Sequence, residues 1–194
     1  MQISFNTEHL PEEFSAKNEN LFPDAPIKCP FKDCSMPVKL KKHSFYSRYL
    51  ISKCFKGVLY IRRFICPICG RTISLLPVFC LRNFQYSGPD IINMLHELYE
   101  TGIPLKRLVE RTKEYFPAME RRHINYYKRR IIKNRHFIQY GLNLISPEFA
   151  NEGSIPENQI WIKNFLEKVN KMQPIIFLVN FFKNTGKSFM TLQI

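Results

Sequence analysis

The sequence lacks both a long apolar run and a secretion signal. Its longest apolar runs, such as residues 175–179, are far shorter than the roughly 20 residues that cross a bilayer. The first residues, MQISFNTEHLPEEF, are polar and mildly acidic, whereas a signal is basic and then apolar. These absences argue against the membrane-spanning and secreted classes and predict a cytoplasmic chain without a membrane partner. In that reducing compartment, clustered cysteines are more often metal ligands than disulfides.

Acidic residues are scarce as well, since 16 Asp and Glu stand against 29 Lys and Arg, for a net charge of +13. The shortage of acidic residues is concentrated in two segments of the chain. Residues 28–86 hold twelve basic residues and one acid, and residues 121–147 hold seven basic residues and no acid. An excess of this kind indicates an anionic partner more directly than it indicates a fold.

A complete nucleotide-binding motif is also missing. Residues 184–188 read NTGKS, but a P-loop needs a glycine five residues before the Gly-Lys pair, and Phe181 stands there. The four acidic residues of 148–194 follow no recognisable strand. We therefore expect no catalytic residues.

Two close pairs of cysteines are the strongest pattern that the chain does contain. Cys29 and Cys34 lie in CPFKDC, and Cys66 and Cys69 lie in CPICGR. Zinc takes four ligands at the corners of a tetrahedron, and each pair can supply two sulfurs from one tight turn. Gly70 suits the second turn because glycine tolerates a positive φ. The pattern predicts one structural Zn²⁺ on these four thiolates, with disulfides, a redox Cys-x-x-Cys and buried free thiols as alternatives.

Residues 28–86 are predicted to form a small antiparallel zinc ribbon. Its strands are expected where β-branched and aromatic residues concentrate, at residues 38–51, 58–65 and 72–79. Pro77 indicates that the third strand lies at an edge. So small a sheet buries too little area to fold alone, and metal binding would supply on the order of 10 kcal/mol. Cys54 and Cys80 lack a nearby partner and are predicted to be buried thiols.

Basic and aromatic residues are interleaved along this ribbon. Basic side chains can bind phosphates, whereas the aromatic side chains are expected mainly to form the small core. His43 is a minor alternative as a metal ligand. The ribbon's candidate DNA contacts are Lys41, Lys42, Arg48, Arg62 and Arg63.

Residues 87–140 are predicted to form a helix-turn-helix domain. Ser87 reads as the N-cap of a first helix. A second short helix is expected from Pro104, and a third from about Ala118 to about Tyr140. Two short helices before a longer basic one are typical of helix-turn-helix proteins.

The third helix combines an apolar side with a basic side. The 3.6-residue period places four residues inward, namely Ile124, Tyr127, Ile131 and Ile138. The opposite side holds the candidate DNA contacts Arg121, Arg122, Asn125, Lys128, Arg129 and Lys133. Such a face suits the major groove, where arginine reads guanine and asparagine reads adenine. A merely solvated basic face is the alternative.

The two ends of the chain carry less information. Residues 1–27 are an acidic, proline-punctuated N-terminal arm that either packs or stays solvated. Residues 141–194 are a short C-terminal extension of unknown role. Within it we expect a linker, a helix, and a buried strand or short helix, at residues 147–156, 160–172 and 175–182 respectively.

The order CPFKDC, basic hairpin, CPICGRT and helix-turn-helix resembles the N-terminal DNA-binding part of bacterial transposases and related mobile-element proteins. In particular it is similar to short, uncharacterised zinc-ribbon proteins of that kind. The likeness covers roughly residues 28–135 and implies metal at the four paired cysteines and DNA as the partner. RNase H-type transposases carry three spaced acidic residues on a separate domain. This sequence holds no convincing set of that kind, which is the main departure.

Together these patterns predict an α+β protein with a small antiparallel zinc-ribbon β domain, a mainly α helix-turn-helix domain and a short C-terminal extension. The expected function is non-enzymatic binding of zinc and double-stranded DNA, as an accessory or regulator of a mobile element. One alternative is a divergent magnesium-dependent nuclease or recombinase that uses Glu148, Glu152 or Glu157. Another is an adaptor for transcription or transposition proteins. A homodimer is left open.

Overall fold

The protein combines a sheet with a set of helices. The computed structural model describes residues 1–146, 148 and 157–191. These residues form a four-stranded sheet followed by six α-helices, which confirms the predicted α+β class. The chain divides into two compact units. The sheet unit comprises Met1–Leu50 and Phe55–Pro77, and the helical unit comprises Ile51–Cys54 and Val78–Ile194.

The sheet is mixed rather than antiparallel, which corrects the prediction. Its strands are β1 (Gln2–Phe5), β2 (Lys41–Ile51), β3 (Lys56–Ile65) and β4 (Thr72–Pro77), in the order β1-β4-β3-β2. β4 runs parallel to β1 and antiparallel to β3. The edge position predicted for β4 is therefore wrong, because β1 covers its outer side. Pro77 is tolerated there since it is the last residue of the strand, where the ladder ends.

Residues 1–27 pack within the sheet unit. Besides supplying β1, they bury Phe14 completely and Leu21 almost completely. The Phe14 ring lies 6.4 Å from that of Phe5 and 5.4 Å from that of Phe22, measured between ring centroids. Of the two outcomes that the sequence left open for this arm, the packed one is observed.

The helical unit begins with a helix start that the sequence predicted. The helices are α1 (Gly88–Thr101), α2 (Leu105–Thr112), α3 (Arg121–Lys133), α4 (Arg135–Ile145), α5 (Asn158–Met172) and α6 (Pro174–Thr185). The Ser87 hydroxyl accepts a hydrogen bond from the Asp90 backbone N–H at 3.2 Å, which confirms Ser87 as the N-cap of α1. Gly102 ends α1 with φ of 64°, a left-handed conformation that glycine adopts without strain.

The basic helix ends earlier than predicted. The sequence indicated one helix to about Tyr140, but α3 and α4 are separated by Asn134, whose ψ is 8°. Its side-chain amide donates to the carbonyl oxygens of Phe189 and Thr191, each at 2.8 Å. These acceptors lie more than fifty residues away in sequence, so the period of the helix could not reveal the break.

The core of the helical unit draws on all six helices. All four residues predicted to face inward from the third helix are buried, which confirms the apolar side of α3 and its continuation in α4. The segment predicted to be a strand or short helix belongs to α6. Most of the predicted linker, residues 147 and 149–156, lies outside the described residues. In the part of the chain that the structure describes, no helix combines the length and the apolar character needed to span a bilayer.

Candidate metal centre and basic helix

Two tight turns carry the paired cysteines. The first turn precedes β2, and its Cys34 backbone N–H donates to the Phe31 carbonyl at 3.0 Å. The second turn joins β3 to β4, and its Gly70 backbone N–H donates to the Cys66 carbonyl at 3.0 Å. Gly70 has φ of 68°, as predicted from its place after the second pair. Each turn therefore brings its own two thiols onto one side.

The four thiols meet at one point of the sheet unit. All four sulfurs lie within 4.8 Å of one another. The Sγ atoms of Cys29 and Cys69 are 3.8 Å apart, and those of Cys34 and Cys66 are 3.9 Å apart. A zinc–sulfur bond of about 2.3 Å sets the sulfurs of a tetrahedral site about 3.8 Å apart. The spacing fits a four-thiolate metal site, and all six cysteines of the chain are free.

Local contacts shift the pKa values of two of the thiols in opposite directions. Burial raises the pKa of the Cys29 thiol to about 12. Hydrogen bonds from the backbone N–H of Arg71, and then from its guanidinium, lower the pKa of Cys69 to about 6. A divalent cation would favour the thiolate form of all four, since metal binding displaces the thiol protons.

No protein-family model matches the chain, and neither a curated protein nor a solved structure matches it. The resemblance to transposase-type DNA-binding proteins therefore stays a prediction. The inference of function rests on two observations, the cluster of four thiols and the charge and exposure of α3.

Three residues next to the cysteines contact one another, and the sequence analysis assigned them no role. They are Arg71, Asp33 and Phe31. A guanidinium nitrogen of Arg71 lies 2.7 Å from a carboxylate oxygen of Asp33. The guanidinium carbon of Arg71 lies 4.0 Å from the centroid of the Phe31 ring. The signal was present in CPFKDC and CGR, where these residues occur within or directly after the cysteine pairs.

The remaining cysteines and His43 lie outside the cluster. Cys80 is buried, as predicted. Cys54 is exposed, so the prediction of a buried thiol was wrong there, because it lies in the short connection between β2 and β3. His43 is exposed. Within the described residues, the four paired cysteines form the one group of three or more His, Cys, Asp or Glu side chains that could hold a metal ion.

The basic residues predicted on the ribbon differ in accessibility. Lys41 is exposed. Lys42 is exposed but forms an ion pair with Glu19. Arg62 is only 6% exposed and pairs with Glu19 at 2.9 Å, so its guanidinium is enclosed within the sheet unit. Arg48 and Arg63 are half-buried, and Arg63 donates to the Thr72 hydroxyl at 3.0 Å. Arg62 is therefore unsuited to a DNA contact, because a buried and paired cation cannot reach a phosphate.

The basic side of α3 is largely accessible. Four of the six predicted residues lie within about 100° of arc at 100° per residue. These are Arg122, Asn125, Arg129 and Lys133, all of them exposed. Arg121 is exposed at the side of this arc, and Lys128 is half-buried with its ammonium 5.3 Å from the centroid of the Tyr99 ring. The structure thus places five of the six residues on the exposed side of the helix, whereas Lys128 lies beside the buried stripe.

Two neighbours of this face were not predicted. Tyr126 is 44% exposed and lies on the same arc, so it adds an aromatic ring to the basic face. Glu120, directly before α3, pairs with Arg122 at 3.1 Å. Both side chains of that pair are more than half exposed, and such a surface ion pair contributes little stability. Arg122 can therefore exchange this partner for a phosphate or a base.

The acidic residues of the nuclease alternative find no support in the described residues. Glu148 and Glu157 are both exposed, and neither belongs to a metal-binding group there. Glu152 lies outside the described residues.

Proposed function

We propose that the chain is a non-enzymatic, zinc-containing protein that binds double-stranded DNA. In this proposal the sheet unit is a zinc ribbon that holds one structural Zn²⁺ on Cys29, Cys34, Cys66 and Cys69. The helical unit contains a helix-turn-helix that recognises DNA through the exposed side of α3. The resemblance drawn from the sequence makes an accessory or regulator of a mobile element, acting in the cytoplasm, the biological role that we favour.

The exposed side of α3 is the observation that carries the proposal. Arg122, Asn125, Arg129 and Lys133 share one arc, and no acidic residue occurs from position 121 to position 147. Burial of the opposite side against the helical core leaves this face for a partner. The major groove of B-DNA is about 12 Å wide and admits one helix, in which arginine pairs with guanine and asparagine with adenine.

The donor set favours a structural rather than a catalytic metal. Four thiolates complete a tetrahedral zinc shell and leave no position for water or substrate. Two of the four thiols, Cys29 and Cys66, are almost completely buried. The ion would join the first turn, which precedes β2, to the turn that connects β3 and β4.

The connection between α2 and α3 departs from a compact helix-turn-helix. Eight residues separate Thr112 from Arg121, whereas the turn of that motif has three or four. Hydrogen bonds from the backbone of Phe116 to Thr112 and of Met119 to Phe116 order this connection, and both Phe116 and Met119 are buried. The proposal therefore assigns the readout to α3 alone.

The test measures affinity for random duplex DNA by fluorescence anisotropy across a range of salt concentrations. We expect affinity to fall steeply with salt, with a logarithmic slope of about −0.9 for each phosphate neutralised. The double variant Arg122→Ala/Arg129→Ala should bind at least roughly 10-fold more weakly, since it loses two cations that neutralise phosphates.

The matched control is Lys171→Ala/Lys183→Ala, which removes the same charge from exposed positions on α5 and α6. We expect it to bind DNA nearly as wild type does. A flat salt response would contradict binding to the phosphates, and equal losses in the two double variants would remove α3 from the DNA interface. Enrichment of bound DNA from a random library then gives the target sequence.

A further inference from the structure

Arg71 contacts both cysteine turns at once. We propose that Arg71 is a positioning residue that locks the two turns together and sets how long the metal ion stays bound. This inference rests on the proposed zinc site and adds to it a residue that is not itself a ligand.

The guanidinium of Arg71 reaches the first turn in two ways. It forms an ion pair with Asp33 at 2.7 Å, and its carbon lies 4.0 Å from the centroid of the Phe31 ring. Asp33 and Phe31 lie between the two cysteines of that turn, so the guanidinium is held to the turn by charge and by a cation–π contact. A planar guanidinium can make both contacts simultaneously.

The second turn is held by the same residue. The Arg71 carbonyl accepts a hydrogen bond from the Cys66 backbone N–H at 3.0 Å. The side chain of Arg71 therefore contacts Asp33 and Phe31 of the first turn, while its carbonyl is bonded to Cys66 of the second.

The contacts of Arg71 with the two turns, called the clamp below, also place positive charge beside the thiols. Zinc with four thiolates carries a net charge of −2, and N–H donors to the sulfurs offset part of that charge. Outer groups that orient and hydrogen-bond metal ligands typically change metal affinity by roughly 10–100-fold when they are mutated. The ion is released only when the sulfurs of both turns have let go of it, and movement of the turns away from each other breaks the Arg71–Asp33 ion pair and the ring contact.

Arg63 supplies a matched control in the same unit. Like Arg71 it is a half-buried arginine, but its side chain donates to the Thr72 hydroxyl at 3.0 Å. Loss of Arg63 therefore removes one charge and one hydrogen bond without loosening the clamp.

The experiment uses the full chain loaded with one Zn²⁺ and follows metal release to an excess of a colorimetric chelator. We expect Arg71→Ala to release zinc roughly 10–100-fold faster than wild type. Arg71→Lys should lie between the two, because it keeps the charge and loses the planar group. Asp33→Asn should also accelerate release, and Arg63→Ala should not. In the double variant Arg71→Ala/Asp33→Asn the two effects should not add, since they remove one ion pair.

Two readouts separate a loosened site from a misfolded chain. The Co²⁺ absorption spectrum reports whether four thiolates still form the site, and the emission of Trp161 reports on the helical unit. Arg71→Ala that releases zinc at the rate of Arg63→Ala would overturn the inference. If Arg71→Ala binds no metal, the rates of Arg71→Lys and Asp33→Asn decide: faster release in both supports the clamp, and wild-type rates in both overturn it. A wild-type chain that takes up no zinc would instead overturn the proposed metal site.

Discussion

The sheet unit and the helical unit achieve their stability by different means. Near the thiols, the sheet unit has a cluster of six buried residues, and two of these are Cys29 and Cys66. The helical unit has a continuous apolar core to which all six helices contribute. Four phenylalanines lie at its centre with less than 2% exposure, namely Phe165, Phe177, Phe181 and Phe189.

This contrast indicates which unit the proposed metal ion would stabilise. Ordering a residue costs roughly 1–2 kcal/mol of backbone entropy, which apolar burial must offset. In the helical unit, large aromatic side chains provide that burial. In the sheet unit, small cysteine side chains occupy part of this cluster, and they bury less apolar surface than the phenylalanines of the helical unit. A metal ion on the four cysteines would therefore add more to the stability of the sheet unit than to that of the helical unit.

The chain carries a separate probe for each unit. Its one tryptophan, Trp161, is 2% exposed in the helical unit and stacks on Phe165 with ring centroids 5.5 Å apart. The four clustered thiols belong to the sheet unit. Tryptophan emission and Co²⁺ absorption can therefore follow the two units independently in the full chain.

The largest expected effect is that of removing the metal. Structural zinc contributes apparent binding free energies of about 10–16 kcal/mol in zinc-finger peptides, more than so small a sheet can replace. We expect a strong chelator, or Cys66→Ser, to abolish hydrogen-exchange protection in β3 and β4. Trp161 emission should be unchanged.

Restoring Zn²⁺ to the chelated wild type is the control, and it should recover protection, whereas the serine variant should not respond. Persistent protection of β3 and β4 without metal would remove the contrast between the units. A parallel loss of Trp161 emission would show that the helical unit depends on the ion as well.

The second effect is confined to the helical unit. Phe177 is fully buried and its ring contacts those of Phe165, Phe181 and Phe189. Phe177→Ala should lower the free energy of unfolding by about 3–5 kcal/mol because it removes an aromatic ring and leaves a cavity. Urea denaturation followed by Trp161 emission measures this, and the Co²⁺ spectrum should be unchanged.

The neighbouring Ile176→Ala is the matched control, since Ile176 is 43% exposed on the same helix. We expect it to change the free energy of unfolding by no more than about 0.5 kcal/mol. Similar losses in the two variants would mean that Phe177 is not part of a tightly packed core.

Local patterns predicted much of the helical unit. The Ser87 cap and the buried stripe of α3 both follow from residues close in sequence, and both are observed. The break at Asn134 could not be predicted, because its partners are Phe189 and Thr191. The spacing of apolar residues shows which side of a helix is buried. It carries no information on hydrogen bonds to carbonyl groups far away in the sequence, and those bonds accompany the break at Asn134.

In the sheet unit, too, features set by nearby residues could be predicted and features set by distant residues could not. The spacing of Cys29, Cys34, Cys66 and Cys69 predicted a set of four ligands, because a metal imposes its own geometry on the turns. The place of β1 beside β4 could not be inferred, since four residues at the start of the chain carry no strong strand signal. The buried ion pair of Arg62 with Glu19 could not be predicted either. An arginine between aromatic residues is compatible both with a phosphate contact and with an internal ion pair.

The smallest expected effect concerns Asp90, in the first turn of α1. Burial raises the pKa of this carboxyl above its ordinary value, although it accepts hydrogen bonds from the Ser87 hydroxyl and the Lys53 backbone N–H. The ionised form is thus less favourable in the folded than in the unfolded chain. Asp90→Asn keeps an acceptor oxygen and removes the charge, so it should be more stable than wild type at pH 7.

The advantage of Asp90→Asn should narrow with acidification. As the pH falls through the raised pKa, folded wild type takes up a proton before the unfolded chain does and so gains stability, whereas the amide does not titrate. Urea denaturation of both proteins at pH 7 and pH 4, followed by Trp161 emission, measures the difference between them. A difference that stays constant, or grows at pH 4, would mean that the favourable field at the start of α1 outweighs the cost of burying the carboxylate.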